Sequence, residues 1–137
     1  MTGSLILIAE DERDIREFLM VALQVSGFNV VEARNGEEAV ALANSHKPDL
    51  ILLDVRMPKV TGFEACETLK ASPNTRDIPV VFLSAYANKD EIRQGLALGA
   101  DEYLTKPIAP DVLTERVSCI LKQFQPQGTE IGSPVLA

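Results

Sequence analysis

The sequence contains few of the side chains that bind soft metals. Among its 137 residues there are one histidine, His46, and two cysteines, Cys66 and Cys119. Softer metals prefer clusters of histidine and cysteine, so no such site is expected. The cysteines lie far apart without paired spacing, which favours reduced, packed thiols over a disulfide. His46 precedes Pro48 in a predicted turn, and we expect it on the surface rather than in a catalytic relay.

Long apolar runs and positive charge are also scarce. No run approaches the roughly 18 residues of a membrane span, and no basic segment precedes an apolar one, so neither a span nor a signal peptide is expected. Lysine and arginine total 13 against 20 acidic residues, a net charge of −7, which would repel a polyanion such as DNA. With 46% hydrophobic residues the composition is that of one globular domain. We expect a cytoplasmic protein that binds neither nucleic acid nor membrane.

Short apolar runs alternate with longer amphipathic segments along the chain. Strands are predicted at 5–9, 29–33, 50–53, 79–83 and 102–105. The first, third and fourth are continuously apolar, which is typical of strands covered on both faces in a parallel sheet. Five β–α units of this kind predict an α/β fold with helices on both faces of the sheet.

Helix start signals precede several of the amphipathic segments. The pairs with capping-box spacing are Asn35 with Glu38, Thr61 with Glu64, and Asn88 with Glu91. Gly27 predicts a left-handed stop after the first helix, and Pro110 suits the first turn of the last. Residues 125–137 hold two prolines, two glycines and no apolar periodicity. The predicted domain therefore covers 1–124, and 125–137 is a flexible linker or C-terminal tail.

Polar side chains follow the carboxyl ends of four predicted strands. Glu10 and Asp11 follow the first strand and Asp54 the third, while Ser84 and Lys106 follow the fourth and fifth. Because ligands of open α/β sheets gather at this edge, we expect these side chains to converge.

Three carboxylates at this edge would repel one another. At about 4 Å and an effective dielectric constant near 20, each like-charged pair costs roughly 4 kcal/mol. The cluster should therefore bind a cation, and carboxylate oxygens completed by water suit Mg²⁺. Asp54, at the end of a buried central strand, is the best-placed nucleophile for an aspartyl phosphate. Lys106 and the Ser84 hydroxyl would hold the remaining phosphoryl oxygens.

These residues resemble the receiver domain of bacterial two-component response regulators (CheY-like) over residues 5 to about 124. Glu10–Asp11 match the family's acidic pair, Asp54 its phosphoacceptor, Ser84 its switch hydroxyl and Lys106 its lysine. The segments LLDVRMP, GFEACETLK and LGADEYLTKP are similar to further family signatures. The resemblance implies a flavodoxin-like, doubly wound sheet of five parallel strands in the order 2-1-3-4-5, with five helices.

The resemblance also implies a set of metal ligands. Asp11 and Asp54 would ligate Mg²⁺ directly, together with the backbone carbonyl of Arg56, while Glu10 would act mostly through water. Arg56 and Tyr86 occupy positions that tune the lifetime of the phosphate in the family.

A phosphorylation switch is the function that the resemblance implies. A sensor histidine kinase or a phosphotransfer protein would donate a phosphoryl group to Asp54. Ser84 would then move toward the phosphate and Tyr103 would turn inward. The surface of the fourth helix, fifth strand and fifth helix would change, controlling an output domain or a partner, or forming a homodimer. A cis peptide is implied at Lys106–Pro107.

Three other functions share part of this pattern. A haloacid-dehalogenase-like phosphatase also forms an aspartyl phosphate, but it needs a general-acid aspartate where this chain has Arg56. A flavin carrier shares the sheet, but it needs a hydroxyl- and glycine-rich loop where this chain has AEDERD. A receiver-like interaction module that is never phosphorylated stays open. The expected protein is not an enzyme beyond autophosphorylation from small donors and autodephosphorylation.

Overall fold

The computed structural model describes residues 3–85 and 88–124. Within them, five strands alternate with five helices. The strands are β1 (Leu5–Ala9), β2 (Asn29–Ala33), β3 (Leu50–Leu53), β4 (Val80–Ser84) and β5 (Glu102–Thr105). The helices are α1 (Arg13–Val25), α2 (Gly36–His46), α3 (Gly62–Ala71), α4 (Lys89–Ala97) and α5 (Pro110–Phe124). All strand pairs are parallel and the order is β2-β1-β3-β4-β5, so the predicted fold is confirmed.

The boundaries of the elements follow the sequence signals closely. Four strands have their predicted ranges, and β4 begins and ends one residue later than 79–83. Pro79 has no N–H to donate to the ladder, although its carbonyl accepts the N–H of Ile51 at 3.0 Å. Gly27 has a φ of 96°, the predicted left-handed stop. The predicted linker at 125–137 and the residue Tyr86 lie outside the described residues.

Helices cover both faces of the sheet, which explains the unbroken apolar run of β3. Ile51 and Leu53 belong to a core shared with α2 and α3, while Leu50 and Leu52 belong to a second core with α1 and α5. Each of these four side chains is at most 1% exposed. A charged side chain within β3 would be buried between the two cores without a partner, and Asp54 follows the last residue of the strand.

The helix starts confirm one capping box in full. Thr61 accepts the backbone N–H of Glu64, whose carboxylate accepts the N–H of Thr61. Asn35 and Asn88 each accept the expected backbone N–H at the third helical position. Glu38 departs from the box, because its carboxylate accepts the N–H of Arg34 instead.

The cysteines and the histidine have different surroundings. Cys66 is buried in α3, as expected, and burial raises the pKa of its thiol to about 11. Cys119 is exposed, so its predicted packing was wrong: it faces outward on α5 beside the buried Ile120. His46 is exposed at the end of α2, as predicted. None of the helices in the described part of the chain is long and apolar enough to span a bilayer.

Gly62 brings α3 directly against the residue that follows β3. Its N–H donates to the carbonyl of Val55 at 2.8 Å. A Cβ atom built on Gly62 would lie 1.9 Å from the carbonyl oxygen of Asp54. Only glycine allows this approach, so the start of α3 packs directly against the backbone of Asp54.

Candidate functional site

Strand pairing continues past the ends of the strands and places the polar side chains at one edge. The N–H of Asp54 donates to the carbonyl of Ala9 at 3.0 Å, so the residue after β3 is bound to the end of β1. The N–H of Lys106 donates to the carbonyl of Ser84 at 2.9 Å, which joins the ends of β5 and β4 in the same way. The positions of these residues are therefore fixed by the rigid sheet rather than by a flexible loop.

Three carboxylates converge at this edge, as the strand-end rule predicted. One oxygen from each of Glu10, Asp11 and Asp54 lies within 4.8 Å of the others. Glu10 is 1% exposed and Asp54 7% exposed, while Asp11 is open to solvent. Asp11, Asp54 and Lys106 line a cleft of about 210 Å³. The buried Asp54 and the exposed Asp11 therefore face a space that admits small ligands, and Glu10 lies buried beside them.

Lys106 brings a positive charge into this cluster. Its Nζ lies 2.6 Å from Oε1 of Glu10 and 3.6 Å from Oδ1 of Asp54. Burial works to lower the pKa of Lys106, but the hydrogen bond to Glu10 and the charge of Asp54 outweigh it and raise the pKa. Oε2 of Glu10 accepts the N–H of Glu12 at 3.1 Å. Because both Glu10 oxygens are engaged, Asp11 and Asp54 are the better direct ligands for a metal.

The carboxyl group of Asp54 has a raised pKa. Burial and the neighbouring Glu10 carboxylate raise its pKa from 3.8 to about 6, against the opposing effects of Lys106 and the Val55 N–H. The Val55 N–H donates to Oδ1 of Asp54 at 2.9 Å. Asp54 is ionised at neutral pH, but its charge is unfavourable in the absence of a further cation.

This charge should make the metal-free protein less stable as the pH rises. Unfolded Asp54 ionises near pH 4 and folded Asp54 near pH 6, so stability falls across that window and the loss is complete above about pH 7. The difference between the folded and unfolded pKa of Asp54 corresponds to a loss of about 3 kcal/mol in the free energy of unfolding. Because water in the cleft screens the charges, we expect a loss of about 1–2 kcal/mol. We therefore expect Asp54→Asn in EDTA at pH 8 to raise the free energy of unfolding by about 1–2 kcal/mol.

Urea unfolding at two pH values tests this expectation. The gain of Asp54→Asn over the wild type should disappear at pH 4, where the wild-type carboxyl is protonated. Asp77→Asn removes an exposed carboxylate elsewhere and should change stability little at either pH. An Asp54→Asn variant no more stable than the wild type at pH 8 in EDTA would contradict the electrostatic description of the cluster.

The cluster fits a hard divalent cation. Its donors are carboxylate oxygens alone, two of them buried and held in place, with an open side toward the cleft. Mg²⁺ prefers such a site, because it binds a small number of carboxylates and keeps several waters. Asp11 and Asp54 would hold the ion, and the role of the Arg56 carbonyl as a ligand stays a prediction.

The other predicted site residues lie next to the cluster. Ser84 is fully buried at the end of β4. The centre of the Tyr103 ring lies 5.8 Å from that of the Phe82 ring. Both rings lie next to Gly95 of α4. Burial raises the pKa of the Tyr103 hydroxyl, while its hydrogen bond with the Ser84 side chain works to lower it. The peptide Lys106–Pro107 is cis, as expected. The movements of Ser84 and Tyr103 stay predictions.

Sequence reasoning missed two residues that support the site. Arg16 donates from Nη1 to the carbonyl of Glu10 at 2.9 Å and from Nε to Glu32 at 2.9 Å. The side chain of Arg16 is only 11% exposed. Its position next to Ile15, on the apolar face of α1, is the sequence feature that could have indicated this burial. Glu91 was read only as part of a helix start, but its carboxylate also binds Arg56 at 2.7 Å.

Comparison with known proteins finds a matching family model and similar curated proteins. A family model described as response regulator receiver domain matches residues 6–118. The phosphate regulon transcriptional regulatory protein PhoB of Pseudomonas aeruginosa is 42% identical over 130 residues, which cover 95% of this chain and 57% of that protein. PhoB of Escherichia coli is 41% identical over 125 residues, which cover 91% and 55%. The chain thus spans about half the length of the curated relatives it matches.

Solved receiver structures have the same fold. The receiver domain of the Francisella response regulator 1452 matches with a TM-score of 0.84 at 31% identity, covering 90% of this chain and 100% of that one. The receiver domain of a histidine kinase from Syntrophus aciditrophicus matches with a TM-score of 0.83 at 35% identity, covering 98% and 99%. Chemotaxis protein CheY4 of Vibrio cholerae matches with a TM-score of 0.82 at 30% identity, covering 86% and 98%.

Proposed function

The chain belongs to the response regulator receiver domain family, and we propose that it takes a phosphoryl group on Asp54 as the acceptor of a two-component system. The observation that carries this proposal is the arrangement around Asp54. A buried carboxylate at the end of a central strand lies beside two further acids and Lys106, and it faces one cleft together with Asp11 and Lys106.

The proposed chemistry uses side chains that already surround Asp54. The carboxylate of Asp54 attacks the phosphorus of a phosphohistidine, the P–N bond breaks, and the imidazole leaves. Bound Mg²⁺ would neutralise charge on the transferred group. Lys106, held by Glu10, offers its ammonium group to the phosphoryl oxygens, and the Ser84 hydroxyl offers a hydrogen bond.

We propose that the donor is a protein, either a sensor histidine kinase or a phosphotransfer protein. Beside the acidic cleft lies an apolar groove of about 490 Å³ that shares Lys106 with it. Phe18 lines this groove and is 46% exposed. Exposed apolar surface next to a reactive cleft is typical of a protein contact, and the donor domain would rest there while its histidine reaches Asp54.

The proposed output is a change in the surface of the domain. Phosphorylation would shift Ser84 and Tyr103 and so change the surface formed by α4, β5 and α5. This chain covers 57% of a relative that is named a transcriptional regulatory protein. The change would therefore control an output domain joined after residue 124 or a separate partner, or would form a homodimer. With a net charge of −7, this domain itself would not bind DNA.

Labelling with a small phosphodonor tests the proposal. Acetyl phosphate with Mg²⁺ should add one phosphoryl group per chain, detected by mass spectrometry of the intact protein, and EDTA should prevent the addition. Hydrolysis of phosphomonoesters should not proceed through many turnovers, because Arg56 replaces the general acid that a phosphatase needs. Absence of any labelling would favour the unphosphorylated interaction module, and rapid turnover would favour a phosphatase.

A further inference from the structure

The side chain of Arg56 is bound to α4. Its Nη2 lies 2.7 Å from Oε2 of Glu91, while Oε1 of Glu91 accepts a hydrogen bond from Nδ2 of Asn88 at 3.2 Å. Asn88 is the N-cap of α4 and also accepts the backbone N–H of Glu91. One carboxylate therefore connects the loop after Asp54 to the first turn of the helix.

The two partners differ in exposure. Glu91 is 16% exposed, but Arg56 is 57% exposed and lines the cleft that also contains Asp54. An ion pair with so much contact with water is weak and exchanges readily. A phosphoryl group in that cleft would carry nearly two negative charges and three acceptor oxygens. A guanidinium group binds such an anion through two parallel hydrogen bonds, so the phosphoryl group competes strongly for Arg56.

We infer that Glu91 is a positioning residue that holds Arg56 away from the acceptor oxygens until a phosphoryl group arrives. This inference rests on the proposed function. When Asp54 is modified, Arg56 exchanges Glu91 for the phosphoryl oxygens. The first turn of α4 then loses this ion pair with the loop after β3. Through this exchange, phosphorylation of Asp54 would affect α4 directly, in addition to any effect through Ser84 and Tyr103.

Binding of beryllofluoride with Mg²⁺, a stable mimic of the phosphoryl group, tests the inference in the intact chain. Glu91→Gln keeps the acceptor for Asn88 but removes the charge that holds Arg56, and it should tighten binding about three- to tenfold. Arg56→Met should weaken binding by a similar factor. In the double variant, Glu91→Gln should have no further effect, because the arginine through which it acts is gone.

Two further variants separate a positioning role from a general change in the helix. Asp90→Asn removes a neighbouring charge of α4 that pairs with Arg93, and it should bind beryllofluoride like the wild type. Glu91→Asp keeps the negative charge and should restore binding toward the wild-type value. Hydrogen exchange of the amides at 89–92 should increase when beryllofluoride binds to the wild type, and it should already be increased in unliganded Glu91→Gln.

The outcomes distinguish the inference from the proposed function. If the wild type does not bind beryllofluoride at all, the proposed function fails and the inference falls with it. If the wild type binds but Glu91→Gln matches Asp90→Asn, only the inference is overturned. The same holds if the effect of Glu91→Gln persists unchanged in the Arg56→Met background.

Discussion

Asp54→Asn is expected to abolish labelling by acetyl phosphate or phosphoramidate in the presence of Mg²⁺. The amide has nearly the same shape as the carboxylate but is not a nucleophile toward phosphorus, so the fold should persist while the reaction stops. Removing a nucleophile usually costs several orders of magnitude in rate, and we expect a loss of more than about a thousandfold. Mass spectrometry of the intact protein over a time course measures it.

A matched control and a chemical test accompany this variant. Asp77→Asn removes an exposed carboxylate that precedes β4, on the side of the amino-terminal end of that strand, and should label like the wild type. Hydroxylamine cleaves acyl phosphates, so it should remove the label from the wild type and from Asp77→Asn. Hydroxylamine-sensitive label that persists in Asp54→Asn would assign the acceptor role to another carboxylate, with Asp11 the nearest exposed candidate.

Gly62→Ala is expected to destabilise the protein severely, although the position begins a helix. Its Cβ atom would lie 1.9 Å from the carbonyl oxygen of Asp54 and 2.9 Å from Cα of Val55. Both atoms belong to the backbone, which cannot turn aside as a side chain can. Overpacking of this kind costs about 3 kcal/mol of unfolding free energy. Because α3 would move the backbone of Asp54, labelling by acetyl phosphate should fall as well.

Gly95→Ala is the matched control for this prediction. Gly95 also lies in a helix, but a Cβ there would meet the rings of Phe82 and Tyr103 at 3.0–3.1 Å. Small ring movements can absorb that contact, and alanine is a better helix former than glycine, so the net effect should be near zero. Urea unfolding of both variants gives the comparison. Equal stability of Gly62→Ala and Gly95→Ala would contradict the close approach of α3 to Asp54.

The sequence predicted the sheet because local pattern and burial coincide there. The apolar run of β3 requires cover on both faces, and Asp54 follows it at the carboxyl edge of the sheet, where ligands of open α/β sheets gather. The meeting of Glu10, Asp11, Asp54 and Lys106 then follows from topology, because parallel strands end on one side. The strand-end rule thus gave the convergence of the acids without side-chain geometry.

The features that sequence reasoning missed depend on tertiary contacts. The spacing of Asn88 and Glu91 correctly indicated a helix start, but it did not show that the carboxylate of Glu91 also reaches Arg56. Arg16 lies in an ordinary amphipathic pattern, and its bond to the carbonyl of Glu10 depends on how α1 crosses β1. Cys119 is an exception, because the sequence carried a signal for it. The helical spacing of Leu113, Val117 and Ile120 marks the buried face of α5, and residue 119 lies outside that spacing.

The central claim is that Asp11 and Asp54 bind a divalent cation at the cleft and so prepare Asp54 for phosphorylation. The most direct measurement is anomalous diffraction from crystals soaked in Mn²⁺, which takes oxygen ligands as Mg²⁺ does. We predict one strong peak between the carboxylates of Asp11 and Asp54, at a bonding distance of about 2.0–2.3 Å from each. A protein that shows no peak there, or binds Mn²⁺ only at other carboxylates, would contradict the account.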